Sequence, residues 1–190
     1  MANSQKTVFN NKSFLPEEAL DFFFGQLKEA LSKGTPTKDI LGEIIHTTRS
    51  LKDPQQATRL FWEELDKKHP HEKVATSLLE GVVAIGLALE DRNKGIEECK
   101  KALKRSKDLR LSKPRENAAR GLLTLSRHFS LKEEEDLLCF INNQTLPWRL
   151  KEEIFERFEE IKAQKKPPPR VPPEKSREIM SKISFQPSPR

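Results

Sequence analysis

Apolar residues recur at three- and four-residue steps along most of this chain, the period of helices that each bury one stripe. Leu20, Phe23, Leu27 and Leu31 mark a first helix over about Pro16–Ser32. Ile40, Leu41, Ile44 and Ile45 mark a second over about Pro36–Leu51, and Ala57, Leu60, Phe61 and Leu65 a third over about Pro54–Lys67. The fourth, about Pro70–Glu90, is apolar nearly all round in its second half, so it is expected at the centre, with Leu78, Val82, Ile85 and Leu89 in the core. Ile96, Cys99 and Leu103 mark a fifth over about Lys94–Lys107; Ala118, Leu122, Leu125 and Phe129 mark a sixth over about Pro114–Phe129. A short seventh covers Leu131–Asn142, and Ile154, Phe155, Phe158 and Ile161 carry an eighth over about Pro147–Ala163.

The punctuation fits. Pro16, Pro36, Pro54, Pro70, Pro114 and Pro147 each stand at the head of such a run, where a missing N–H costs nothing. Thr35 and Asp53 precede two of them, and "DPQQ" and "SLKE" have the spacing of a capping box. Connections are short, so successive helices are expected to pack as antiparallel neighbours. The fold class is therefore all-α: a bundle or short array of about eight antiparallel helices. The organisation is a disordered arm over 1–13, a helical domain over 14–163, and a Pro-rich basic tail over 164–190. "FFFG" at Phe22–Gly25 spans too wide an arc to face one core, which leaves one of its phenylalanines exposed. Trp62 and Trp148 are the other aromatic candidates for a partner anchor.

Composition narrows the class. Hydrophobic residues are 35%, charged residues 34%, and only seven glycines occur, a balance that favours thin, surface-rich helical packing over a sheet sandwich. Cys99 and Cys139 lie in separate helical patterns, so neither a disulfide framework nor a zinc site is indicated, and an intracellular, cytoplasmic setting is expected, with the nucleus as the alternative because "KRSK" resembles a minimal import cluster. The first residues lack the apolar run of a secretory signal. The most apolar stretch, Leu78–Glu90, is too short for a bilayer, so no membrane insertion is expected. The oligomeric state is not assigned by the sequence.

Net charge is +6, but it is polarised: +7 over Arg92–Arg120, +5 from Gln164 onward, and −6 over the rest. On the fifth helix Lys100, Lys101, Lys104 and Lys107 fall opposite Ile96, Cys99 and Leu103, and Arg105, Arg110, Lys113 and Arg115 continue the basic stretch. Such a face suits an acidic protein or the phosphates of a nucleic acid; no aromatic interleaves with it in the sequence, which speaks against base stacking. The tail holds five prolines between Pro167 and Pro173, a polyproline II spacer, with Lys166, Pro169 and Pro172 at the spacing of one class of SH3 ligand. Beyond it Ile179, Met180 and Ile183, with Phe185 next, would share one side of a short docking helix.

Catalytic chemistry finds little footing. His69 and His71 flank Pro70 without a third ligand at suitable spacing, and no phosphate loop, GxSxG or CxxC is present. The carboxylate pairs Glu63/Glu64, Glu97/Glu98 and Glu152/Glu153 alternate with Lys and Arg, the pattern of solvated helix faces. The chain is not expected to be an enzyme or to hold a cofactor. The first expectation is a protein–protein interaction module acting through its helical surface and tail: an adaptor, a chaperone-like protein or a regulator. The second is nucleic-acid binding through residues 100–115, and the third an enzyme with an unrecognised site.

Overall fold

The computed structural model describes residues 7–9, 12–67 and 71–165. Among them are eight helices: α1 Pro16–Lys33, α2 Lys38–Thr48, α3 Gln55–Leu65, α4 Glu72–Ala88, α5 Arg92–Asp108, α6 Ser112–Ser126, α7 Leu131–Asn142 and α8 Trp148–Lys165. The all-α body expected from the periodicity is present. Its ends are made by local chemistry. Pro16 opens α1, Glu18 accepts the Leu15 N–H at 3.1 Å, and Gly34 closes the helix at φ 66°, where a side chain would be strained. The "SLKE" capping box forms: Ser130 Oγ accepts the Glu133 N–H, and the Glu133 carboxylate accepts the Ser130 N–H at 3.1 Å.

Several ends differ from expectation, three of them by local chemistry at the helix start. α5 begins at Arg92, not Lys94, because Asp91 caps it, accepting the N–H groups of Asn93 and Lys94 at 3.0 and 3.2 Å. Pro54 is itself the N-cap of α3, and Asp53 accepts from Gln55 at 3.1 Å in place of a box with Gln56. Pro114 lies inside the first turn of α6, which starts at Ser112. The stretch expected to be an arm carries a short antiparallel ladder, β1 Thr7–Phe9 on β2 Lys12–Phe14, paired Thr7 to Phe14 and Phe9 to Lys12. Phe14 stacks on the exposed Phe22 of α1 at 5.6 Å, while Phe23 and Phe24 turn into the core.

Each helix packs on the next except α2 on α3, and the even-numbered helices also touch in sequence, α2 on α4, α4 on α6 and α6 on α8. The result is a bundle laid out as a ladder, with one continuous apolar cluster from Ala19 to Ile161. Leu78, Val82 and Ile85 of α4 are sealed, with Leu89 just behind, as the apolar run implied. Glycines let the central helices close up: a Cβ on Gly95 of α5 would stand 2.5 Å from the Gly86 carbonyl oxygen of α4. No helix among the described residues is long and apolar enough to cross a membrane.

Candidate functional site

The packing of α5 decides what its cations can do. Its buried stripe, Cys99, Ala102, Leu103 and Ser106, faces α4 and α6, and the opposite side carries the lysines. The eight basic residues singled out above do not form one face. Lys101 turns to Glu98 at 3.0 Å. Arg105 is half-buried and reaches back to the end of α3, donating to the Leu65 carbonyl at 3.3 Å and to Asp66 at 3.4 Å. Lys113, on α6, pairs with Glu80 of α4 at 3.2 Å, and Arg115 donates to the Thr145 carbonyl at 3.4 Å. Lys100, Lys104 and Lys107 remain on one exposed stripe at helical steps of four and three, and Arg110 stands past the helix end in left-handed backbone at φ 58°.

Beside that stripe is a groove of about 380 Å³ between α5 and the end of α7. Its floor is Leu103 and Phe140; Lys100, Lys101, Lys104 and Lys107 form one wall, and Gln144 lines the other side. Phe140 is 37% exposed, and the Lys100 ammonium sits over its ring, 5.2 Å from the centroid. The aromatic that the basic stretch lacks in sequence thus arrives in space, from a helix some forty residues on. The reason is periodic: α7 buries Glu134, Leu137, Leu138 and Ile141, so Phe140 falls outside its stripe. That spacing is the signal by which it could have been found.

The reading of the paired carboxylates as solvated needs correcting at Glu98, and Glu134 of α7 is a second buried carboxylate. Glu98 is buried, accepts the Trp62 indole N–H and holds Lys101. Glu134 is buried, takes both a 2.7 Å and a 2.9 Å bond from the Arg157 guanidinium of α8, and lies 3.4 Å from the Ser126 hydroxyl. These bonds, with one from Glu160, hold the Arg157 guanidinium even further above its ordinary range. Each carboxylate is satisfied from a neighbouring helix, Glu98 from α3 and Glu134 from α8: long-range partners brought them inward, and local alternation with Lys and Arg could not reveal that. Cys99 is equally internal; burial, with the Glu98 charge beside it, pushes its thiol up to about 12, so it is a packing group and a poor nucleophile.

α8 carries a second uncovered surface. The sequence put Phe155 on the same stripe as Ile154, Phe158 and Ile161, but Leu150, Ile154 and Ile161 are buried with Phe158 packed beside them, and Phe155, 100° round from Ile154, is 63% exposed. Trp148 is 68% exposed on the same outer side, two turns earlier, with Arg149 over its ring at 5.9 Å. A wider cleft of about 450 Å³ lies between the α1–α2 turn and the first turns of α4; its lining includes Thr35, Thr37 and Ser77, with the Glu80–Lys113 pair at its edge. His71 acts as the N-cap of α4, its Nδ1 accepting the Lys73 N–H at 3.3 Å. The tail residues Lys166, Pro169, Pro172, Ile179, Met180, Ile183 and Phe185, together with His69 and Pro70, lie outside the described residues.

Compared with known proteins, the chain matches no family model, no curated protein and no solved structure.

Proposed function

We propose that this chain is a non-enzymatic protein–protein interaction module, an adaptor or regulator, that docks a partner on its helical surface at the α5–α7 groove, with residues 164–190 as a second contact. The observation that supports it most is the apolar floor of Leu103 and Phe140 left open beneath Lys100, Lys104 and Lys107, which have no ion pair among the described residues. An uncovered aromatic inside a charged rim is the anatomy of an interface hot spot. The carboxylates that would be the first resource of an acid–base enzyme are instead engaged inside the fold, Glu98 with Trp62 and Lys101, Glu134 with Arg157. Free cysteines, one buried and one exposed, suit a reducing compartment, and we assign the module to the cell interior.

The same groove favours a second reading. Lys100, Lys104, Lys107 and Arg110 beside an aromatic are also what a single-stranded nucleic acid would use. One experiment separates the two. The full chain, the triple variant Lys100→Glu/Lys104→Glu/Lys107→Glu and a chain ending at Lys165 are used as bait in extracts of the source cells, with and without nuclease and across a salt series. Protein capture that survives nuclease and moderate salt, and that the triple variant loses, supports the module. Capture that vanishes with nuclease and falls steeply with salt contradicts it and supports the second reading. Lys101 is left intact because Lys101→Glu would set a second carboxylate against the buried Glu98.

A further inference from the structure

The groove between α5 and α7 also specifies what chemistry would fill it. We infer that its occupant is an acidic amphipathic helix of a partner protein, about two to three turns long, with one large apolar side chain seated on Phe140 and Leu103 and carboxylates facing Lys100, Lys104 and Lys107. This inference rests on the docking function proposed above and names the partner of that site.

Three features carry it. The first is the register of the cations. Lys101, also on the groove, is paired with Glu98, and Arg105 is drawn to the end of α3, so the cations of the wall that have no ion pair among the described residues stand at i, i+4 and i+7 of one helix. Those steps span roughly 10 Å along the axis, at 1.5 Å per residue. A facing helix with Glu or Asp at the same steps repeats that rise and presents one carboxylate to each ammonium. The second is the floor. Leu103 is buried at the base and Phe140 is open to solvent, so the groove offers apolar contact where a purely electrostatic site would not. Lysine stems add to it, since their methylenes lie along apolar surface while the ammonium groups stay wet. An occupant that only matched charge would leave Phe140 uncovered; one that only matched the floor would leave three unopposed cations around it. The third is size. A groove of about 380 Å³ holds one or two large side chains from one face of a helix, not a folded domain.

A nucleic acid would meet the same three cations with phosphates and Phe140 with a base, so the oligonucleotide below is the probe that decides between the two. A carboxylate from a helix approaches Lys100 from the solvent side and leaves its contact with the Phe140 ring in place.

The test uses the full chain and fluorescence anisotropy with four probes of similar length. The first is a fluorescein-labelled helix-forming peptide of Glu, Ala and Leu with one Phe on its apolar stripe. The second is the same composition with the stripe scrambled, the third has Lys in place of each Glu, and the fourth is a labelled single-stranded oligonucleotide. The expected order is that the first peptide binds at least ~10-fold tighter than its scramble and the third not at all. Lys104→Glu/Lys107→Glu and, separately, Phe140→Ser each weaken the first peptide by ~10-fold or more, while both variants melt like the parent because all three side chains are solvent-facing. Equal binding of the scramble, preference for the oligonucleotide, or undiminished binding by either variant overturns the inference. If the chain captures a nuclease-resistant protein through the groove yet ignores the acidic peptide, only this partner chemistry fails; if it captures no protein, the docking function beneath it fails.

Discussion

The central helices α4, α5 and α6 and the terminal pair α7 and α8 are held in different ways. In the centre the contact is backbone-close. Gly86 and Gly95 bring α4 and α5 together without intervening side chains, and Gly121 sits 3.1 Å, measured from where its Cβ would be, from both Cys99 and Val83. Leu78, Val82, Ile85, Cys99, Ala118 and Leu122 have no solvent exposure. The terminal pair is pinned by ion pairs as much as by apolar contact: Arg157 to Glu134, Arg120 to Glu153, and Lys165 to Glu135. Of α8 only Leu150, Ile154 and Ile161 are fully buried apolar residues and Phe158 packs partly against the core, while Trp148 and Phe155 point outward. A rigid centre that ends in a thinly packed pair suits a docking module: α5 belongs to the centre and α7 to the edge, so the groove between them has one stiff wall and one adjustable one.

The strongest way to break the centre is Val82→Asp. Val82 is fully buried among apolar neighbours, so the new carboxylate has no partner, and the domain should lose its cooperative melt by circular dichroism. A variant that melts like the parent would show that α4 is not the core. The matching cut at the edge is Arg157→Ala. It leaves Glu134 buried beside Ser126 with its cation gone and is expected to cost about 3 kcal/mol, the lower end for breaking a buried pair. Hydrogen exchange should show α8 and α7 losing protection while α4 keeps it; equal loss everywhere would erase the distinction between the two regions.

A smaller effect is expected at the α7 cap. Ser130→Ala removes the acceptor for the Glu133 N–H and should cost about 1 kcal/mol by chemical denaturation. Hydrogen bonds from Ser130 hold the Glu133 carboxyl below its ordinary value. A carboxyl lowered in the fold stabilises above its unfolded pKa and ceases to do so as pH falls through its folded one, so the parent should lose this contribution below about pH 4 and the variant should show a shallower acid slope there. Cys99 titrates with the opposite sense: its thiol is raised, so its contribution is complete below an ordinary thiol pKa and fades as pH climbs from about 9 toward 12. The least effect belongs to Trp148→Ala with Phe155→Ala, expected within about 0.5 kcal/mol of the parent, since both side chains are mostly in water. A larger loss would mean that something in the full chain already covers them.

Much of this was legible along the chain. Helix number, the central place of α4, the exposure of one phenylalanine in "FFFG" and the Ser130 cap all follow from local period and local hydrogen bonding. What escaped was set by contacts distant in sequence. Phe140 meets Lys100 forty residues away, Trp62 satisfies Glu98 thirty-six away, and Arg157 reaches Glu134 twenty-three away. No residue pattern announces such pairs, because either partner alone reads as a solvated polar position. The basic stretch misled for the same reason: alternation on a wheel shows which lysines are exposed, but not that Lys101, Arg105, Lys113 and Arg115 are taken up by neighbours.

The docking claim is met most directly by a photo-cross-linking amino acid placed at Phe140 and, as a control, at Gln26, which is exposed on α1. With the crosslinker at residue 140, irradiation in the source cells should give a discrete protein adduct that resists nuclease and disappears when Lys104→Glu and Lys107→Glu are added; residue 26 should give none. Adducts of equal yield from both positions, or an adduct at residue 140 that nuclease removes, would contradict the account.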